Sequence, residues 1–333
     1  MLSNSKINFD ENIYTKTTNK FLEKYNLLSK TLNSEVMNSN DIDYSTIKEL
    51  SFLNIQPNCL IEFVGENGTG KSQFILWISY LVSNMYNNIF HNSKFKSDYN
   101  ILFIDTSKNN NSEERIKYLI TNNINDPQQR VEVFKRIKMF YKYDLLSFET
   151  LMTFLEDYIE TNNIKFIIID SFADITYKKV IYEENNESTP NKSVIIEDNN
   201  SVNNGTFNNQ IEKNNQKNKI YNFVSSKFEL IRKVCNNYSI TAIIVNGVSN
   251  VLKSHKSEFK DTQIFYDKFN LIPKLGYNNS FNLDCRLFFS VDRNNNNSYT
   301  RYLEIVFSNF CKLQGMYFKI EYSGISTFKD LSN

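Results

Sequence analysis

Gly65-Glu66-Asn67-Gly68-Thr69-Gly70-Lys71-Ser72 fits GxxxxGK[ST] at every fixed position, and its flanks decide what it means. Leu60-Ile61-Glu62-Phe63-Val64 before it reads as a buried strand. Residues 71–86 after it read as a helix, with Phe74, Ile75, Ile78, Leu81, Val82 and Met85 on one side. In a strand, Gly-rich turn and helix of this kind, successive backbone N–H groups turn inward around phosphate oxygens. The helix N-terminus adds partial positive charge. Lys71 is placed to reach the outer phosphates and Ser72 to hold Mg²⁺. The expected ligand is a nucleoside triphosphate with Mg²⁺, held by residues 65–72.

Three more buried strands follow. Ile101–Ile104 ends at Asp105, Phe166–Ile169 is closed by Asp170, and Ala242–Val245 comes later. Between them the spacing predicts helices. One starts at Ser112, a capping serine followed by Glu113 and Glu114 in the first turn. Others are predicted over 147–161 and 219–235. Strands alternating with helices mean an α/β fold, a mostly parallel sheet covered on both faces. After residue 282, Leu283–Val291, Tyr302–Ser308 and Met316–Tyr322 read as a C-terminal antiparallel extension. A second Mg²⁺ ligand is needed at a strand end. Asp170 is the candidate, directly or through water, and Asp105 is the alternative.

The 333 residues are 41% hydrophobic and 14% aromatic, enough to bury one large α/β core. The net charge of +1 excludes a chain that binds nucleic acid through its global charge and leaves only a local patch. Four cysteines, at 59, 235, 285 and 311, form no CxxC pair, and His91 and His255 are the only histidines, so a zinc site is not expected. Cys59, Cys235 and Cys285 sit in apolar runs as buried, reduced thiols, which predicts a reducing compartment, cytosol or nucleus. No apolar run reaches the length of a membrane span, and the first residues do not resemble a signal peptide; no membrane partner is expected. Residues 1–45 read as a short polar extension with one helical patch at Phe21, Leu22, Tyr25 and Leu28. The ATPase domain is expected over 46–330, interrupted at 181–219 by an Asn-rich, low-complexity stretch predicted to be a disordered insertion.

Together these motifs resemble the RecA/RadA recombinase superfamily. Ile61–Gln73 is similar to the family's P-loop, with Glu62 and Gln73 as typical additions. Phe103-Ile104-Asp105-Thr106 resembles the strand that carries the family's catalytic glutamate, and Glu114-Arg115 the helix start after it. Ile168-Ile169-Asp170-Ser171 resembles its Walker B strand, and Ile244-Val245-Asn246 the strand before its second DNA-binding loop. Pro273-Lys274-Leu275-Gly276, with Arg286-Leu287 beyond, looks like a pattern of the eukaryotic recombinase paralogues. The resemblance implies a RecA-like P-loop ATPase core that binds ATP and Mg²⁺ and acts in homologous recombination and DNA repair. It implies other recombinase-family subunits as partners and the nucleus as location. It adds Gln73 to the nucleotide-binding set.

Three departures shape the expected activity. Ser107 stands where the family has its catalytic glutamate, and serine cannot take a proton from an attacking water as a carboxylate does. Gly247 stands where a glutamine senses the γ-phosphate. An N-terminal helical DNA-binding domain does not fit in 45 polar residues. Hydrolysis is therefore expected to be slow or absent, at most a weak DNA-dependent ATPase. Glu113 and Glu114 are candidates to replace the missing carboxylate, and also fit as helix-start acids. The second DNA loop maps to 248–272, where Lys253, Lys256, Lys260 and Lys268 face Glu258, Asp261 and Asp267. Single-stranded DNA binding and a mixed-charge loop packed on a partner subunit fit that composition equally. Four roles follow: a recombinase paralogue, a scaffold that does not bind DNA, an active strand-exchange ATPase, and an unrelated RecA-like ATPase such as a helicase or signalling ATPase. Ser107 and Gly247 disfavour the third, and the Pro273–Leu287 pattern disfavours the fourth.

Overall fold

A computed structural model of the chain describes residues 57–91, 99–107, 111–176, 205–250, 271–275, 281–291 and 300–328. The chain divides into Met1–Gln56 and Pro57–Asn333. The first unit, with the polar extension and its Phe21–Leu28 patch, lies outside the described residues, as do residues 177–204 of the Asn-rich region.

The first strand, β1 (Leu60–Gly65), runs into the Gly-rich turn and α1 (Lys71–His91). Then come β2 (Asn100–Asp105), α2 (Ser112–Asn123), α3 (Pro127–Lys135) and β3 (Ile137–Tyr141). The helix expected over 147–161 is two helices, α4 (Leu145–Thr153) and α5 (Leu155–Asn162), broken at Phe154. The break turns α5 so that Leu155 and Ile159 stay buried while Phe154 points to solvent. β4 (Ile164–Asp170) precedes α6 (Gly205–Tyr238), which starts well before the helix predicted at 219. Once the apolar stripe near Phe223 and Ile231 has fixed a few turns, extending a helix costs far less than nucleating one, and the upstream residues include Gln, Glu and Lys, all good helix formers. The last 15 residues of the stretch assigned to the insertion are thus helical backbone (205–219).

β5 (Thr241–Asn246) leads into a small hairpin of β6 (Val248–Asn250) and β7 (Leu271–Pro273). β8 (Cys285–Val291), β9 (Thr300–Ser308), β10 (Gly315–Ile320) and β11 (Ile325–Phe328) complete the main sheet, in the order β11-β10-β9-β8-β1-β5-β4-β2-β3. β8 pairs parallel with β1, so the antiparallel extension proper is β9–β11. β1 therefore lies inside the sheet, and β5 separates it from the Asp170 strand.

Alternating strand residues face opposite layers. Leu60, Leu102, Ile104, Ile167, Ile169, Ala242 and Ile244 pack with Phe148, Leu151, Phe228, Ile231 and Val234 of α4–α6. On the other face Phe63, Phe74, Phe289 and Phe318 meet ring to ring, with centroids 5.1 to 6.0 Å apart, and lock α1 to the sheet. Fully burying such a side chain contributes roughly 1.5–3 kcal/mol. With both faces covered, the strand ends after β1, β2, β4 and β5 are where polar groups can gather, as in other open parallel sheets.

Candidate nucleotide site

The turn after β1 has an exposed tip at Glu66, Asn67 and Gly68 and a buried flank at Thr69. Gly68 and Gly70 hold φ of 80° and 95°, a region that disfavours any side chain. Thr69 Oγ1 donates to the Glu66 carbonyl at 2.8 Å, closing the turn. A Cβ on Gly70 would lie 2.9 Å from Arg301 Cδ and from Ile320 Cδ1, so β9 and β10 press directly on the loop. The antiparallel extension thus buttresses the phosphate cradle.

Lys71 is buried, and its Nζ donates to the carbonyls of Gly65 and Glu66, both at 2.8 Å. Burial lowers its pKa from 10.5 to about 8; the charge of Lys274 acts in the same direction, while Asp170, Asp174 and Glu66 oppose it. Ser72, beside it, hydrogen-bonds the side chain of Asp170, so the two predicted Mg²⁺ ligands lie in contact across the sheet end. Asp170 is 1% exposed. Burial pushes its carboxyl up to about 7, Asp105 and Asp174 push the same way, and Ser72 and Lys71 oppose. A carboxylate that pays this desolvation is the kind of group a divalent cation stabilises. The donor set of one hydroxyl and one carboxylate, which phosphate and water would complete, fits Mg²⁺.

Asp105 has another task. It accepts from Ser107 N at 2.9 Å and from the Ser112 hydroxyl at 2.7 Å, fastening the end of β2 to the start of α2. Thr106 ties β2 to β4: its N–H donates to the Asp170 carbonyl at 2.7 Å and its hydroxyl bridges Ser171. The Asp170–Ser171 peptide is cis. Ser107 therefore emerges at the same sheet end as Asp170 with no carboxylate to offer. The Glu113 carboxylate is held by Lys117 at 2.6 Å and the Tyr141 hydroxyl at 3.0 Å, and Glu114 is exposed on the first turn of α2. Asp174 is an acid that the sequence did not single out, and its charge is felt by both Lys71 and Asp170.

Gln73, expected in the nucleotide-binding set, has a different partner. Its Oε1 accepts from Arg115 Nε at 2.9 Å, and Arg115 also donates to the carbonyls of Glu321 and Tyr322. The side chain clamps α1 to α2 and to the end of the sheet, because an i+2 position from Lys71 points around the helix and not back at the loop. Glu62, in the middle of β1, is 1% exposed and accepts from Arg286 Nε of β8 at 2.6 Å and Asn246 Nδ2 of β5 at 2.7 Å. A charge in an apolar strand demands such partners. This bolt through three strands supports the site from beneath. Lys253, Lys256, Lys260 and Lys268 lie outside the described residues. Among the described residues all four cysteines are free, and no cluster of His, Cys, Asp and Glu could hold a metal by itself. No described helix is long and apolar enough to cross a membrane.

No family model matches the sequence, and no curated protein matches it. Its fold does match a solved structure, that of the RadB recombinase, at 15% identity and a TM-score of 0.52, covering 83% of this chain and 94% of that one. Identity this low speaks for architecture, and the architecture agrees with the strand order and the site built at its strand ends: the chain has a RecA-like recombinase fold.

Proposed function

We propose that this protein is an ATP-binding recombinase paralogue that supports homologous recombination and DNA repair, with slow or absent hydrolysis. The contact of Ser72 with Asp170 beside the phosphate-binding turn carries the ATP·Mg²⁺ part of the reading. Ser72 and Asp170 would hold the ion, which supplies charge neutralisation at the phosphates. Lys71 would exchange its two loop carbonyls for phosphate oxygens, and the loop N–H groups from 66 to 72 would complete the cradle. Ser107 and Gly247 support the slow-hydrolysis part, since serine offers no base to take a proton from water and glycine no side chain to sense the γ-phosphate. Nucleotide then acts chiefly as a conformational ligand. The RecA-like fold supports the recombination part, together with the Pro273–Leu287 pattern that resembles eukaryotic paralogues. Its partners on this reading are other recombinase-family subunits and single-stranded DNA, and its compartment is the nucleus.

Titration with a fluorescent ATP analogue tests the site: Lys71→Ala should weaken binding by about 100-fold or more, since a charge-assisted contact to phosphate is lost from a buried position. Unchanged affinity would remove the reading. Purification from native cells tests the role, with a bound recombinase-family chain as the expected result. Such a partner without any single-strand binding would turn the reading to a scaffold.

A further inference from the structure

Gly247 follows β5, at the sheet end where the neighbouring strands β1 and β4 place the phosphate-binding turn and Asp170. Its φ is not in the left-handed region, so the backbone there accepts any residue. A Cβ at this position would nevertheless meet Cδ, Cε and Nζ of one residue, Lys274, at 2.9, 3.1 and 3.3 Å, and these are the three nearest atoms. The glycine makes room for that lysine. Pairing explains the meeting. β6 and β7 align Val248 with Pro273, and Lys274 N donates to the Gly247 carbonyl at 2.9 Å, so the lysine is set directly opposite the glycine. Pro273 and Leu275 are buried on either side, which anchors the backbone and leaves the Lys274 side chain exposed over Gly247. The same ammonium lies within electrostatic reach of Lys71.

We propose that the Lys274 ammonium reads the terminal phosphate of a bound nucleoside triphosphate, supplying in cis the contact that a side chain at position 247 cannot. The inference rests on the ATP-binding reading above. Two ammonium groups brought together repel, and a third anionic phosphate between them relieves that repulsion; a diphosphate, one group shorter, relieves it less. An ammonium donating to phosphate adds an ion pair to the hydrogen bond, which an uncharged amide donor does not. Because Lys274 is joined to the β6–β7 hairpin, the contact also ties the hairpin base to whether the third phosphate is present.

The test is calorimetric titration of the full chain with a non-hydrolysable ATP analogue and with ADP, both with Mg²⁺. Wild type should prefer the triphosphate. Lys274→Met should weaken the triphosphate about 10- to 100-fold, the range of a lost hydrogen bond to a charged group, while ADP changes less than about 3-fold. Lys274→Arg should keep the preference. Lys274→Ala with Gly247→Gln should restore part of it, since alanine removes the δ and ε atoms that a side chain at position 247 would meet. Equal losses for both nucleotides, or no change for either, would overturn the proposal and leave the ATP-binding reading standing. Wild type that binds neither nucleotide would overturn that reading, and the proposal with it.

Discussion

The two sides of the nucleotide site differ in how far they keep the groups that their chemistry requires. On the side of β1 and β4, Lys71, Ser72 and Asp170 are all present and buried or half-buried, Ser72 hydrogen-bonds Asp170, and the charges of Lys71 and Asp170 act on each other. On the side of β2 and β5, the strand ends carry Ser107 and Gly247, and their strongest polar contacts are structural: Asp105 to Ser112, Thr106 to Ser171, Lys274 N to Gly247 O. On the proposed reading, the first side holds the charged ligand and the second lacks the base that would activate water. Binding and turnover can therefore separate in one fold. Holding phosphate needs charge and N–H groups from one loop, whereas hydrolysis needs a further base in register with them.

The largest expected effect tests that separation directly. Phosphate release by the purified chain should stay well below about 1 s⁻¹, the low end for ordinary enzymes. Ser107→Glu restores a carboxylate beside Asp170 and should raise turnover, by up to the roughly 10²–10⁴-fold typical of general-base catalysis. Fast turnover by the unmodified chain would break the comparison. Turnover that appears only with a native partner would move the missing base to a neighbouring subunit.

The binding side also depends on support from beneath. Removing one member of a buried ion pair leaves an uncompensated charge and costs about 3–5 kcal/mol. Arg286→Ala should accordingly lower the denaturation midpoint strongly, and Glu62→Gln should do so less, because the amide can still accept from Arg286 or Asn246. Equal, small shifts in both variants, read by urea unfolding, would show that the bolt is not what holds β1.

The strands flanking the site were legible in the sequence, and their partners were not. β1, β2, β4 and β5 are buried on both faces and so read as unbroken apolar runs. β3 was missed because only Ile137 of its five residues is buried, which is what the edge of a sheet looks like. β8 was seen as a strand, but no periodicity says that it pairs parallel with β1. Lys71, Ser72 and Asp170 came from a contiguous motif and one strand end. Glu62 carried a signal, a carboxylate in an apolar strand, but its partners are 184 and 224 residues away. Gly247 read only as a missing side chain until the β6–β7 pairing set Lys274 over it.

The raised Asp170 pKa gives the binding side a pH signature. With the folded value near 7 and the ordinary one at 3.8, the fold takes up the proton more readily than the unfolded chain does. The stability this gives is complete below about pH 4 and is lost as pH rises through about 7. Asp170→Asn stays neutral throughout. Without nucleotide and Mg²⁺, the variant should gain stability over wild type at pH 8, on the order of 2–4 kcal/mol, and little at pH 4. Thermal melts across that range decide it, and a variant less stable at pH 8 than at pH 4 relative to wild type would reverse the assignment.

The smallest effect sharpens the comparison on its weaker side. Glu113 is the nearest acid in sequence that could replace the missing carboxylate, yet its oxygens are engaged by Lys117 and Tyr141 on the outer face of α2. Both members of the Lys117 pair are about half exposed, with side-chain exposures of 54% and 41%. Exposed pairs at i,i+4 contribute about 0.3–0.5 kcal/mol, and a carboxylate in the first helical turn a similar amount. Glu113→Gln should therefore cost less than about 1 kcal/mol, keep nucleotide affinity and leave phosphate release unchanged. If turnover fell tenfold or more while the melting temperature held, Glu113 would have to leave Lys117 and swing to the end of β2 when nucleotide binds. The second side of the site would then carry a base after all, recruited from the helix and not from the strand.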